Sequence, residues 1–390
     1  MKLLFFCSFL VIYLLINTLF LYKYGLRYES IYIFYVLVIY SCVTGALPYL
    51  LKKIKFPKVS FFLIAVLVFI VILLINLAVD GNSLNVDRWS AMDVSLAALL
   101  HGEYPYSATD HLNGRSSNLP ALLLLGLPGY LLGDVGFLQL FSFAFFVYIL
   151  LQSLETYQAR LLGLLLLAGS SAWLWEVATK SDLLSNFIVL LGFIVLWQKK
   201  NAGHIAQRSF LVGGLAGFIF YTRLISFIPL AIFLFQDFVQ LPLRKKLSFI
   251  TASLGVITVL TLVVFKNCPS LAVFKENNPF TLQNRQLPLL VSAGTMLLPL
   301  FFSQRNIPLL MLTRRCIVLI LLPVLLAFLF SWQKNGFHSI IHESAFDISY
   351  FNFVTPFVIY YLALAFEQHL AATAQASPVP IQTLRFRRSV

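Results

Sequence analysis

Charge is scarce in this chain, and acid is the scarcer sign: 15 Asp and Glu stand against 28 Lys and Arg among 390 residues. Charged residues make up only 11% and hydrophobic residues 60%, which leaves too little polar surface to clothe two or three soluble domains of the size the length would allow. Cysteine is equally sparse. Cys7, Cys42, Cys268 and Cys316 form no CxxC, so neither a disulfide framework nor a zinc knuckle follows. No Gly-rich phosphate loop follows a strand pattern, which removes the usual nucleotide sites. No period-two alternation is present, which removes a transmembrane barrel. The net charge of +13 lies in short clusters without interleaved aromatics. That pattern marks cytoplasmic loops of a membrane protein rather than a nucleic-acid surface, and no nucleic-acid partner is expected.

Long apolar runs take the place of charge. The clearest are 3–22, 30–51, 59–79, 134–154, 160–175, 183–198, 209–222, 224–239, 247–265, 288–303, 316–332 and 351–366. A helix needs about 20 apolar residues to cross the hydrocarbon core, and backbone in lipid must satisfy its own hydrogen bonds. The fold class is therefore all-α: a polytopic transmembrane bundle of about twelve spans, with helices in the outer loops and no soluble domain. Lys2 leads into the first run without a small-residue cleavage site, so that run reads as a retained helix.

The segment 119–133, LPALLLLGLPGYLLG, is apolar but short and holds two prolines and three glycines. If it spanned, Lys199 and Lys200 would fall outside. If it is re-entrant, the basic clusters 52–58, 199–208, 244–246, 305–315 and the tail ending RFRR all fall inside. The re-entrant reading places both termini in the cytoplasm. The chain then divides into N-terminal spans 1–79, an acidic outer loop 80–133, central spans 134–246, C-terminal spans 247–370 with outer loops, and a basic tail 371–390.

The outer loop from Asp80 to Asn118 is the most informative stretch. It carries Asp80, Asp87, Asp93, Glu103 and Asp110 with His101 and His111. A long loop with its own acids and aromatics is more often functional than a plain connector. Asp87-Arg88-Trp89 opens an amphipathic stretch to Leu100. Asp93 lies six residues past Asp87, roughly 120° around a helix, so the two acids need not pair. Gly102 and Pro105 then break the helix in HGEYPY, where Tyr104 and Tyr106 sit. Asp87 reads either as a helix cap or as a catalytic carboxylate. The two histidines lack a partner at i+3 or i+4 and read as surface residues.

Three later polar segments share the expected outer face. SSAWLWEVATKSDLLSN holds Glu176, Lys180 and Asp182 beside two tryptophans. KENNPFTLQNRQLP holds Lys275, Glu276 and Arg285, and HSIIHESAFDISYFNF holds His338, His342, Glu343, Asp347 and Tyr350. The His338/His342 pair is not HExxH, because the acid lies outside it. Arg223 falls between two apolar runs, after Gly213 and Gly217, which permit close helix packing. It reads either as a snorkelling arginine or as a bidentate phosphate ligand.

The order Asp87, surface helix, Gly102-Glu103-Tyr104, then Leu119-Pro120 and a re-entrant segment resembles the first outer loop of the GT-C superfamily. These are multi-span glycosyltransferases that use polyprenyl-phosphate-linked sugars. Ser181-Asp182, opening a span after an aromatic patch, and the GLAG…TR of 215–223 add to the likeness, which covers roughly 80–240. Two departures stand out: Arg88 follows Asp87 where many relatives have a second acid, and two extra spans precede the loop.

The resemblance implies a bacterial plasma-membrane enzyme, GT-C-like and inverting, with its active site on the outer face. Its partners would be a polyprenyl-phosphate sugar donor, the lipid bilayer, and a glycan, lipid or protein acceptor. Asp87, with Asp93, would be catalytic. Arg88, Glu103, Tyr104, Tyr106, Glu176, Lys180, Asp182, Arg223, Arg285, Asp347 and Tyr350 would bind substrate. No cofactor is expected and no metal is indicated, although Asp87, Asp93 and Asp110 could assemble an oxygen site. A lipid-linked-sugar flippase or transporter is the alternative from a different class, and a ligase or polymerase using lipid-linked sugar is a third.

Overall fold

The computed structural model describes residues 2–25, 30–54, 56–201 and 205–376, and the basic tail ending RFRR lies outside them. Helix dominates, and among the described residues there is no strand beyond one isolated bridge between Thr109 and Arg115. Three long apolar helices open the chain: α1 (Lys2–Gly25), α2 (Ser30–Lys53) and α3 (Lys58–Ala78). The first polar loop then carries α4 (Arg88–Leu100) and α5 (Pro120–Leu131). α6 (Phe137–Ser153), α7 (Tyr157–Ala168), α8 (Ser171–Thr179) and α9 (Leu183–Asn201) form the centre. α10 (Ser209–Phe220), α11 (Phe227–Val239) and α12 (Leu243–Phe265) follow. Two short loop helices, α13 (Leu271–Glu276) and α14 (Pro279–Gln283), precede α15 (Leu289–Phe301), α16 (Leu309–His342) and α17 (Thr355–Ala376).

Seven segments among the described residues are long and apolar enough to cross a membrane, or eight if the bent pair α7 and α8 counts as one span. The protein is thus a membrane-embedded, multi-pass helical bundle. The twelve expected apolar segments are all helical, but α6, α10, α11 and α15 belong to the shorter helices of 10–17 residues. Twelve residues of α10 rise only about 18 Å, against about 30 Å of hydrocarbon. Apolarity without length does not establish a crossing.

Burial separates the helices. α17 is enclosed over its first half, from Thr355 and Phe357 to Tyr360 and Leu362. α2 and α12 expose large side chains such as Tyr32, Phe34, Ile39, Leu254 and Leu262, as lipid-facing helices do. Glycines set one close pairing. A Cβ on Gly213 would sit 2.3 Å from the Phe249 carbonyl oxygen, and one on Gly217 2.7 Å from that of Ser253, so α10 and α12 approach at backbone contact.

The bend of 56° between α7 and α8 has an identifiable cause. At Gly169-Ser170 the helical ladder breaks, and Asn17 of α1 takes over the orphaned donors. Its side-chain oxygen accepts from Ser170 Oγ at 2.7 Å and from the Ala172 amide at 3.1 Å, and its carbonyl accepts from Ser171 Oγ at 2.7 Å. Asn17→Leu should lower stability by about 1–3 kcal/mol for each buried donor left unsatisfied. A thermal melt in detergent checks this, and an unchanged midpoint would remove Asn17 from the account of the bend.

The loops sort to two ends of the bundle. Arg88 pairs with Asp347, Lys180 with Asp134 and Arg223 with Asp182; Tyr104 donates to the Asn277 carbonyl and Gln283 to that of Ser117. These contacts join the four polar segments at one end, here called the loop end. Lys52, Arg305 and Arg314 lie at the other. α5 both begins and finishes at the loop end: its Ala121 amide donates to the Tyr221 carbonyl, and the Asp134 that follows it meets Lys180.

Candidate functional site

α4 begins immediately after Asp87 and stops where Gly102 takes φ +77°, a conformation glycine adopts without a Cβ clash. Asp87 makes no side-chain bond to the helix, so it is not the capping residue its position suggests. Its side chain is 46% exposed and lies 3.9 Å from Arg88 Nε. Arg88 turns instead to Asp347, donating through Nη2, and its guanidinium lies 5.9 Å from the centre of the Tyr350 ring. Asp347 also accepts from the Ser349 amide at 2.9 Å. Burial pushes the Asp347 carboxyl up, but the Arg88 guanidinium and the Ser349 donors outweigh it and hold the group below the usual carboxylate range.

The depressed carboxyl fixes the sign of one pH effect. Its contribution to stability is complete above the unfolded value near 4 and is lost as pH falls through the lower folded value. Melting temperatures measured down to acid pH should therefore drop less steeply in Asp347→Asn than in the native protein. Parallel curves would show that this pair does not govern acid stability.

A second group surrounds Trp89. Its indole Nε1 donates to Asp134 Oδ1 at 2.9 Å, the Gly136 amide donates to the same oxygen at 2.7 Å, and Lys180 pairs with the other. Lys180 itself is buried in the left-handed region at φ 52°, which costs a non-glycine residue about 1–2 kcal/mol. Asp93 belongs to this group and not with Asp87. Burial first and the Asp134 charge second push its carboxyl up, and Lys180 opposes them.

The third group is deeply buried. Arg223 lies where α10 has ended and the chain runs extended before a short 3₁₀ turn at Leu224–Ser226. Its Nε and Nη2 donate to Asp182 Oδ2, Nε at 3.1 Å, and Nη2 also donates to Asn118 Oδ1 at 3.1 Å. The guanidinium lies 5.9 Å from the Phe353 ring centre. Both partners of the ion pair have side chains only 3% exposed. Arg223 thus snorkels to no surface; it is fixed between two loops and a helix start.

Glu176 has a structural task. Its carboxyl oxygens accept from the Leu184 and Ser185 amides, both at 2.8 Å, and from Asn352 Nδ2 at 3.1 Å. An acid at a helix N-terminus satisfies orphan donors and complements the dipole, and here it caps α9 from a neighbouring helix.

Beside Arg223 opens a cavity of about 410 Å³. Phe220, Leu289, Met296, Pro323 and Val324 make its body apolar, while Arg223, Ser117, Gln283, Asn284, Gln286 and Tyr350 gather polar groups at one side. Gln283 anchors that side: it accepts from the Leu224 amide at 2.9 Å and donates to the Ser117 carbonyl at 2.6 Å. An apolar pocket of this size with a few convergent polar groups is the usual form of a small-molecule site.

The sequence expectations distribute unevenly over this geometry. Arg223 and Tyr350 line the cavity, Asp182 holds Arg223, and Arg88 connects Asp87 and Asp347 to the Tyr350 wall. Tyr104 and Tyr106, expected at substrate, are instead buried beside Phe265 in a local core, with Tyr106 donating to the Asn118 carbonyl at 2.8 Å. Glu103 is exposed at the end of α4, and Arg285 is exposed and not among the lining residues although its neighbours are. His111 is a packing residue whose Nε2 faces the Leu84 carbonyl at 2.8 Å. Asp110 closes its own turn by accepting from the Leu112 and Gly114 amides, and no group of three His, Cys, Asp or Glu suited to a metal occurs among the described residues. Asp134, Asn118, Asn352 and Gln283 hold the site together without standing out in the sequence as site residues. Asp134 had a signal, a lone acid between two apolar runs; the amides carried none. The chain matches no protein-family profile, no curated protein and no solved structure.

Proposed function

We propose that this protein is a membrane glycosyltransferase of GT-C type, with twelve spans and its loop end on the outer face of a bacterial plasma membrane. It moves a sugar from a polyprenyl-phosphate donor to an outward-facing acceptor. The observation that carries the reading is the apolar cavity beside Arg223, whose lining Tyr350 lies 5.9 Å from the Arg88 guanidinium that in turn faces Asp87 and Asp347. The prenyl chain suits the apolar body, and the sugar hydroxyls suit Ser117, Gln283, Asn284 and Gln286. Arg223 Nη1, which takes no part in the Asp182 and Asn118 bonds, suits a phosphate oxygen.

Of the two carboxylates that flank Arg88, Asp347 is tied to Arg88 and Ser349, whereas Asp87 is half-exposed and only loosely paired. Asp87 is therefore the general base. It takes the acceptor hydroxyl proton as that oxygen bonds to the anomeric carbon, the bond from that carbon to the phosphate oxygen breaks, and polyprenyl phosphate departs with the electron pair. Arg223 steadies the departing charge. A direct displacement inverts the anomeric centre. No nucleotide is required, because the lipid phosphate already activates the sugar.

Detergent-purified protein given a panel of synthetic polyprenyl-phosphate sugars and candidate acceptors should release polyprenyl phosphate with at least one pair. Lipid movement across proteoliposomes without bond cleavage would replace this reading with the flippase.

A further inference from the structure

At the end of the bundle opposite the candidate site, α1, α2, α16 and α17 enclose a second cavity, of about 610 Å³. Phe5, Phe6, Pro48, Leu310, Met311 and Phe366 make its body apolar. Its charged lining consists of Lys52 and Arg314, with His369 beside them and no carboxylate. The neighbouring acid on α17, Glu367, is turned away: its Oε1 accepts from the Glu155 amide at 2.6 Å and the Thr156 amide at 2.8 Å, capping α7.

The cations are held in place without being neutralised. Lys52 Nζ lies 3.1 Å from His369 Nε2, and the Arg314 guanidinium lies over the Phe5 ring, 4.5 Å from its centre. None of the ion pairs among the described residues includes Lys52 or Arg314. Lys53 adds a third cation nearby, 4.3 Å from the centre of the lining Tyr49 ring. An apolar slot between helix ends, with unneutralised cations at its mouth, has the chemistry of a lipid with an anionic head.

We propose that this cavity is a binding site for one anionic phospholipid, its phosphate between Lys52, Arg314 and His369 and an acyl chain against the α1 and α16 side chains. The charge complementarity selects the head and the apolar lining selects the chain; a zwitterionic lipid would carry its own cation into the same place. The site stands apart from glycosyl transfer and does not depend on it.

Native mass spectrometry of the full chain, titrated in mixed micelles with phosphatidylglycerol or phosphatidylcholine, tests the site. The native protein should retain one phosphatidylglycerol about thirtyfold more tightly than phosphatidylcholine, the preference expected from two cations at a lipid phosphate. Lys52→Gln with Arg314→Gln should abolish that preference. Met311→Trp, which fills the slot and keeps both charges, should abolish retention of either lipid and guards against a double variant that fails to fold. Equal retention of the two lipids by the native protein would overturn the proposal. So would a preference surviving the double substitution, or retention unchanged in Met311→Trp.

Discussion

Asp87→Asn should leave the protein folded and able to bind donor, yet slow sugar transfer by about 10²–10⁴-fold, the usual contribution of a positioned general base. The fold should barely respond, because Asp87 is half-exposed and makes no side-chain bond to α4. Its interaction with the helix dipole, about 0.3–1 kcal/mol, and its loose pairing with Arg88 are all that is lost. Asp347 cannot take over, since accepting a proton would dissolve its pair with Arg88. Initial rates, a thermal melt and donor retention measured on one preparation separate these effects. A variant that melts early and loses donor would mean that Asp87 shapes the loop and performs no chemistry.

Arg223→Ala should be the most damaging single substitution at the site. It strands Asp182, whose side chain is 3% exposed, and removes a bond to Asn118. Breaking one half of a buried pair costs about 3–5 kcal/mol, because the remaining charge has no partner. Stability loss and donor loss would then coincide, so the double variant Arg223→Met, Asp182→Leu is the more telling one. Apolar replacement of a buried pair is often neutral or stabilising. We expect the double variant to recover most of the melting temperature and still fail to bind polyprenyl phosphate. Recovery of both would make Arg223 a purely structural residue. Arg223→Lys should fall between, because a compact ammonium cannot keep the forked bonds to Asp182 and Asn118.

What the sequence made legible follows from where each signal resides. Long apolar runs announced α1, α2 and α3, because crossing lipid imposes both length and composition. Arg223 was visible as a lone cation between apolar runs, and its burial gives it a fixed role. Glu176 shows the limit. An acid beside tryptophans looks the same whether it meets a ligand or caps a helix, and its partners include Asn352, far along the chain. Tyr104 and Tyr106 read as substrate-binding residues of an exposed loop, but the loop folds back so that Phe265 of α12 covers them. Asn118 and Gln283 are uncharged, and their importance lies wholly in geometry that brings them to Arg223 and the Leu224 amide. Apolarity also overstated the number of established crossings, since α10 and α15 are apolar but short.

On the proposed mechanism, Asp87 acts on a sugar held in the cavity beside Arg223. A single-turnover measurement reaches it most directly: protein preloaded with radiolabelled polyprenyl-phosphate sugar is mixed with acceptor, native and Asp87→Asn side by side. The native protein should release polyprenyl phosphate rapidly, and the variant at least about 10²-fold more slowly at equal donor occupancy. Equal release rates at equal occupancy would contradict it.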